Sequence, residues 1–255
     1  MKFGVCAGYQ ESEHILSWGY DYIELNLCQL AQIDEATFTD MRQTLEKAGI
    51  QAESFNGFFP GDLHLVGPEA DCEKITAHAE LALRRAAQLG GKVAVLGSGR
   101  SRRIPEGVSA EEGWEQFKKA AVLCADIAQK YGMVVAIEPL NTNETNLVNT
   151  VADGLRLCRE AGHPALTLLA DYYHVFKSGE TMDAIVEAGS LLTHVHIARP
   201  ANDRGCPAPD QEELFAPFFA ALQKNGYTGR VSLECNCTDF PTQIPAALPM
   251  LKKLV

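Results

Sequence analysis

Met133-Val134-Val135-Ala136-Ile137-Glu138-Pro139-Leu140-Asn141 is the stretch on which the reading of this chain turns. Val134 to Ile137 is unbroken apolar sequence, which predicts a strand covered on both faces, because a strand wetted on one side alternates polar with apolar residues. Seven more strand-like runs lie outward from it: Phe3 to Cys6, Tyr22 to Leu25, Gln51 to Phe55, Val93 to Leu96, Leu166 to Ala170, Thr193 to Ile197 and Arg230 to Leu233. Apolar residues at alternating spacings of three and four fill the gaps. Cys72, Ile75, Ala79, Ala82, Ala86 and Leu89 draw one helical stripe ending at Gly90-Gly91; Trp114, Phe117, Ala121, Cys124, Ala128 and Tyr131 draw another ending at Gly132. Ser109 with Glu112 predicts a capping box, and Thr150 and Asp210 are expected N-caps of later helices.

Strands that alternate with helices form parallel sheets. Eight such units in 255 residues predict a (β/α)8 TIM barrel, α/β in class, with residues 1–255 as one domain. An open doubly wound sheet would carry a glycine-rich phosphate turn after its first strand, whereas this chain has Ala7-Gly8-Tyr9-Gln10 there.

Composition excludes several classes. Hydrophobic residues at 46% and charged residues at 22% are those of a soluble globular protein. No apolar run approaches the roughly 20 residues of a membrane helix. Met1-Lys2 leads straight into the first strand, leaving no room for a signal peptide, so the expected location is the cytoplasm, with no membrane partner. With 22 Lys and Arg against 33 Asp and Glu, the net charge of −11 repels nucleic acid and points to a small-molecule partner. The eight cysteines read as reduced core thiols; Cys235-Asn236-Cys237 is not a CxxC pair, and no zinc-finger spacing is present, so no structural zinc is expected.

Ionisable residues stand at the C-terminal ends of the last four strands: Glu138 after Ile137, Asp171 after Ala170, His196 at the end of His194-Val195-His196, and Glu234 after Leu233. In a barrel that end holds the active site, and neighbouring strands are about 4.8 Å apart, so the four side chains converge on one quadrant. Three carboxylates crowded together repel one another unless a cation sits between them. One divalent metal ion, Mn2+ by donor type with Mg2+, Co2+ or Zn2+ as alternatives, resolves the conflict. His194 alternates with His196 and falls a layer deeper, as a supporting or core histidine. Such a site fits proton abstraction beside a carbonyl by one carboxylate and return by another; return to the other face epimerises, and return to the next carbon isomerises.

Ile137-Glu138-Pro139-Leu140-Asn141 with Glu144-Thr145, Asp171-Tyr172-Tyr173-His174, His194-Val195-His196 and Ser232-Leu233-Glu234 resemble the signature segments of the xylose isomerase-like TIM-barrel superfamily, in its sugar isomerase and epimerase group. The resemblance spans the chain and is densest from residue 133 onward. It implies that Glu138, Asp171, His196 and Glu234 are the metal ligands, that Glu138 and Glu234 double as catalytic acid and base on opposite substrate faces, and that Glu144, His174 and Arg204 hold substrate oxygens. It also implies a small carbohydrate substrate and a homo-oligomer, dimer or tetramer. Glu144 and His174 have plainer readings, as a surface charge and a helix-capping imidazole.

The loop after the metal histidine departs from the Asn-Arg-x-x-Pro-Gly-x-Gly pattern of the ketose epimerases. It reads Arg199-Pro200-Ala201-Asn202-Asp203-Arg204-Gly205-Cys206-Pro207-Ala208-Pro209, so Arg199 competes with Arg204 and a free ketose is in question. Two further segments have two readings each. Gly97-Ser98-Gly99-Arg100-Ser101-Arg102-Arg103 is an anion-binding turn, or else a tight loop or subunit contact. Phe55-Asn56-Gly57-Phe58-Phe59-Pro60 is an apolar wall over the site, or a set of buried aromatics. Rival functions are a cyclitol (inosose-type) dehydratase, the zinc-dependent abasic-site endonuclease branch, which needs more histidine ligands and a basic surface, and a non-catalytic sugar-binding barrel.

Overall fold

A computed structural model describes residues 1–201 and 203–255; Asn202, quoted in the loop above, lies outside the described residues. Eight parallel strands close in sequence order into a barrel: β1 (Lys2–Cys6), β2 (Tyr22–Asn26), β3 (Ala52–Asn56), β4 (Val93–Leu96), β5 (Val134–Ile137), β6 (Leu166–Asp171), β7 (Leu192–Ile197) and β8 (Arg230–Leu233). Pairing of Lys2 with Arg230 and of Val5 with Leu233 joins the last strand to the first.

Around the barrel run α1 (Ser12–Ser17), α2 (Leu27–Gln32), α3 (Glu35–Ala48), α4 (Cys72–Gln88), α5 (Ala110–Lys130), α6 (Val151–Ala161), α7 (Tyr172–Ser178), α8 (Asp183–Ala188), α9 (Glu212–Asn225) and α10 (Phe240–Lys253). Their starts follow local chemistry. Asp71 caps α4 through the amides of Glu73 and Lys74, Ser109 caps α5, and Thr150 forms a reciprocal capping box with Asp153 on α6. The expectation for Asp210 fails: Gln211 precedes α9 without capping it and instead accepts from the Ala208 amide. No described helix is long and apolar enough to cross a membrane.

Two apolar groups follow from strand alternation. The larger packs the helices onto the outside of the sheet. A small separate one, Val93, Val95, Ala136 and Leu169, comes from inward positions of β4, β5 and β6. Glu138, Asp171, His196 and Glu234 keep the parity of Ala136, Leu169, His194 and Ser232, so the period of two carries the inward face up to the mouth. Most of the remaining interior is polar. Tyr22 lies over Gly4, where any Cβ would overlap its ring, and shares a 2.7 Å hydrogen bond with Ser232 on the far side.

Candidate active site

Glu138, Asp171, His196 and Glu234 meet at the C-terminal mouth, each offering one donor atom within 4.8 Å of the others. Local structure fixes each one. The Glu138 amide donates to the Leu96 carbonyl (3.2 Å), and the Glu234 amide to that of Ile197 (3.1 Å), so both glutamates continue the ladder one residue beyond their strands. Asp171 ends β6 and also caps α7, accepting from the Tyr173 amide at 2.8 Å. His196 is fully buried and turns Nδ1 toward Glu138 (3.3 Å) and Glu234 (3.2 Å).

Behind His196 stands Glu24 of β2, which sequence reasoning missed. His196 Nε2 donates to one Glu24 oxygen at 2.9 Å, and His194 Nε2 lies 2.8 Å from the other; the hydroxyls of Ser54 and Ser232 donate to the same carboxylate. The signal was present in Tyr22-Ile23-Glu24-Leu25, an acidic residue inside an otherwise apolar strand. A carboxylate on the rear nitrogen of an imidazole fixes the tautomer and makes the front nitrogen a better metal ligand. His194 is therefore a supporting histidine, as its alternation with His196 predicts. Asn56 was missed too; its amide donates to Glu234 at 2.8 Å.

Charges in the cluster are strongly coupled. Burial disfavours a charged His196, but the carboxylates of Glu24, Glu234 and Glu138 outweigh it and push its pKa well above the ordinary imidazole value. Burial and the charge of Glu234 push Glu138 up. Burial also opposes ionisation of Glu234, yet His196 and Arg204 hold it down to about 2. Burial keeps His194 down, consistent with a neutral ring donating to Glu24.

Arg204 supplies the positive pole of this acidic cluster. Its guanidinium bridges Asp171 and Glu234, lies 3.1 Å from His174 Nε2, and stacks 4.9 Å from the Tyr173 ring. Arg199, the competitor, packs against Gly205 and makes none of these contacts. Asp203 and Arg204 both have positive φ (49° and 61°), a strained backbone that non-glycine residues adopt where the surroundings demand it. His174 is 2% exposed and accepts the Asn141 amide on Nδ1 at 3.0 Å, which turns Nε2 into the site, 3.7 Å from Asp171 and 3.9 Å from Glu144. Glu144 is half-exposed and tethered by Asn141 Nδ2 at 2.9 Å. All seven sequence-derived site residues thus border one centre.

Beside it a cavity of about 400 Å³ is lined by Cys6, Tyr9, Gln10, Glu24, Asn26 and Asn56 among others, within the roughly 300–1,000 Å³ usual for small-molecule sites. The aromatics of Phe55, Phe58 and Phe59 are buried in the larger apolar group, so that segment contributes Asn56 to the site and its rings to the core. The other histidines are engaged elsewhere: His14 with Glu11 (3.1 Å), His64 with Glu69 (3.3 Å), His78 with the Phe58 carbonyl (2.8 Å) and His163 with Asp126 (3.2 Å). Three carboxylates and one imidazole with its rear nitrogen occupied match the donor chemistry of a single borderline dication better than that of a histidine-rich zinc cluster.

Fold and site together define a parallel eight-stranded barrel with a carboxylate and imidazole centre at its C-terminal mouth. The family model for the xylose isomerase-like TIM barrel matches residues 13–254, and the chain belongs to that family. Among known proteins it is 30% identical to a probable ketose 3-epimerase of Synechocystis sp., over 85% of this chain and 74% of that protein. It is equally 30% identical to an L-ribulose 3-epimerase of Methylomonas sp., with the same coverage of both. The crystal structure of a D-psicose 3-epimerase in the presence of D-fructose superposes with a TM-score of 0.84, covering 99% of this chain and 98% of that one at 21% identity.

Proposed function

We propose that this chain is a divalent-metal-dependent epimerase or isomerase of a small keto sugar, sugar phosphate or hydroxy-keto acid, with C3 epimerisation of a ketose as the leading form. One observation carries the reading: two glutamates, Glu138 and Glu234, from strands on either side of β6 and β7, reach a common donor cluster beside a sugar-sized cavity. The names of the two relatives with 30% identity, both 3-epimerases, support it. They also favour a free ketose despite the loop departure after His196, since relatives named for ketoses match this chain over most of its length.

In this reading Glu138, Asp171, His196 and Glu234 hold the ion, Mn2+ by donor type with Mg2+, Co2+ or Zn2+ as alternatives. A dication so held would supply Lewis acidity toward the carbonyl of a bound substrate. The rest is the protein's own chemistry. One glutamate removes the proton beside the carbonyl and the other returns one from the opposite face, which inverts that carbon. Arg204, His174 Nε2 and Glu144 hold substrate oxygens and fix which carbon faces the glutamates. The reading includes a cytoplasmic homo-oligomer, dimer or tetramer.

The experiment is incubation of the Mn2+-loaded protein with ketoses, their phosphates, hydroxypyruvate and a keto-cyclitol (an inosose) in heavy water. Solvent deuterium at the carbon beside the carbonyl, together with the epimer or isomer, is the expected result. Loss of water from a cyclitol with no label in any ketose would replace this reading with the dehydratase.

A further inference from the structure

Cys206 lies well before the Cys235-Asn236-Cys237 pair in the sequence, yet the three sulfurs fall within 4.8 Å of one another. Cys235 and Cys237 follow β8, and Cys206 comes from the loop after β7. All three are free thiols, and Cys206 is buried as a core thiol should be, whereas Cys235 and Cys237 are partly open to solvent, which corrects the reading of these two as core residues. Pair spacing along the chain could not show this, because the third sulfur arrives through the backbone. The Asn236 amide donates to the Arg204 carbonyl at 2.7 Å, Asn236 Nδ2 donates to the Asp203 carbonyl at 2.7 Å, and Gly205 bridges both Arg199 and Asn236.

We propose that these three cysteines form a second metal site, distinct from the carboxylate centre, that takes a thiophilic d10 cation such as Zn2+. Sulfur donors select such ions, whereas the carboxylate set does not. Zn–S bonds of about 2.3 Å at tetrahedral angles separate the sulfurs by about 3.8 Å. Cys235 and Cys237 already stand 3.8 Å apart. No other His, Asp, Glu or Cys among the described residues joins the three, so the fourth position is open to water from the exposed side. Arg199 adds a favourable charge: its guanidinium packs on Gly205, next in the chain to Cys206, and its buried Nε has no hydrogen-bond partner among the described residues. As the ion binds, each thiol gives up its proton to solvent and no oxidant is needed. The ion would tie the β7 loop, which carries Arg204, to the β8 loop, which carries Glu234.

The test uses the full reduced chain, its carboxylate centre first saturated with Mn2+, titrated with Cd2+ as a thiophilic probe. One equivalent should bind with a thiolate-to-metal charge-transfer band in the ultraviolet. That band should be lost in Cys206→Ser and in Cys237→Ser, and kept in Cys72→Ser, a control at an exposed cysteine outside the cluster. Thermal melts of each variant show whether it has folded. Zn2+ alone should shield three thiols from alkylation, and Cd2+, the softer ion, should displace it. Absence of the band in folded wild type, its survival in folded Cys206→Ser and Cys237→Ser, or conversion of two of the three thiols to a disulfide with no metal uptake would each overturn the proposal. Because the readout is metal binding, failure here leaves the sugar chemistry proposed above untouched, and failure of that chemistry leaves this site standing.

Discussion

A methyl group on Gly97 would overlap the Glu138 carboxylate, so the absence of a side chain at this position sets how that carboxylate lies. Gly97→Ala is expected to lower kcat by roughly 10- to 100-fold, because small misplacements of a reacting group have effects of that size. Its melting temperature should stay near wild type; an unchanged kcat would free Glu138 from this constraint. Glu138→Gln and Glu234→Gln keep the shape and remove the proton carrier, so each should reduce turnover by about 10²- to 10⁴-fold with the fold intact. Wild-type rates of solvent-deuterium exchange in either would remove its catalytic assignment. Glu24→Gln weakens the carboxylate behind His196 and should loosen Mn2+ by about 10- to 100-fold. Calorimetric titration reads this directly, and an unaltered affinity would reduce Glu24 to a packing residue.

Among the loops, the one from Gly97 to Arg103 shows how an element can resemble a ligand site and serve the fold. Arg102 is fully buried; it donates to the carbonyls of Leu96 (3.3 Å), Glu138 (2.8 Å) and Val148 (3.3 Å) and lies 5.4 Å over the Phe117 ring. Ser101 is buried as well, donating to the Pro60 carbonyl at 2.8 Å, and Ser98 accepts the Phe59 amide at 2.9 Å. The tight-loop reading therefore describes these residues, and Arg102 points inward to strap the β4 and β5 loops together. Burial lowers its pKa only to about 10, so the strap stays charged at neutral pH. Arg102→Met leaves the Glu138 carbonyl without its donor, at about 1–3 kcal/mol where no water enters, while the Leu96 and Val148 carbonyls keep the amides of Glu138 and Leu140. A fall in Tm of roughly 5 °C is expected for a chain of this size, readable by calorimetry. A melt within a degree or two of wild type would show that the strap is dispensable.

Closure of the barrel as a whole depends on a second polar tie, at the opposite end from the site. Glu53 on β3 is 6% exposed and bonds Lys2 on β1 (2.6 Å) and Arg230 on β8 (2.6 Å), the two residues paired where the last strand meets the first. Burial opposes the Glu53 charge, but the hydrogen bonds and charges of Lys2 and Arg230 hold its pKa below the ordinary 4.5. A depressed carboxylate stabilises the folded chain above its unfolded value, and that contribution disappears as pH falls through the folded value. Glu53→Gln should therefore cost about 2 kcal/mol at pH 7, a figure reduced from the buried-pair range because Lys2 is half-exposed. The gap in Tm between wild type and variant should shrink toward zero on acidification below 4.5. A gap independent of pH would assign the effect to packing.

Periodicity was enough to predict the barrel and the four strand-end groups, because strand alternation and the parallel β/α rhythm are local properties that survive in one dimension. The helix caps at Ser109 and Thr150 were legible for the same reason. What closing the sheet decided was every partnership between strands distant along the chain. Glu24 meets His194 and His196 across about 170 residues, Arg204 rather than Arg199 faces the carboxylates, Arg102 turns inward, and Cys206 joins Cys235 and Cys237. Spacing along a strand specifies which face a residue takes; which groups meet there depends on register between strands, on loop conformation and on burial, and these exist only in the folded chain.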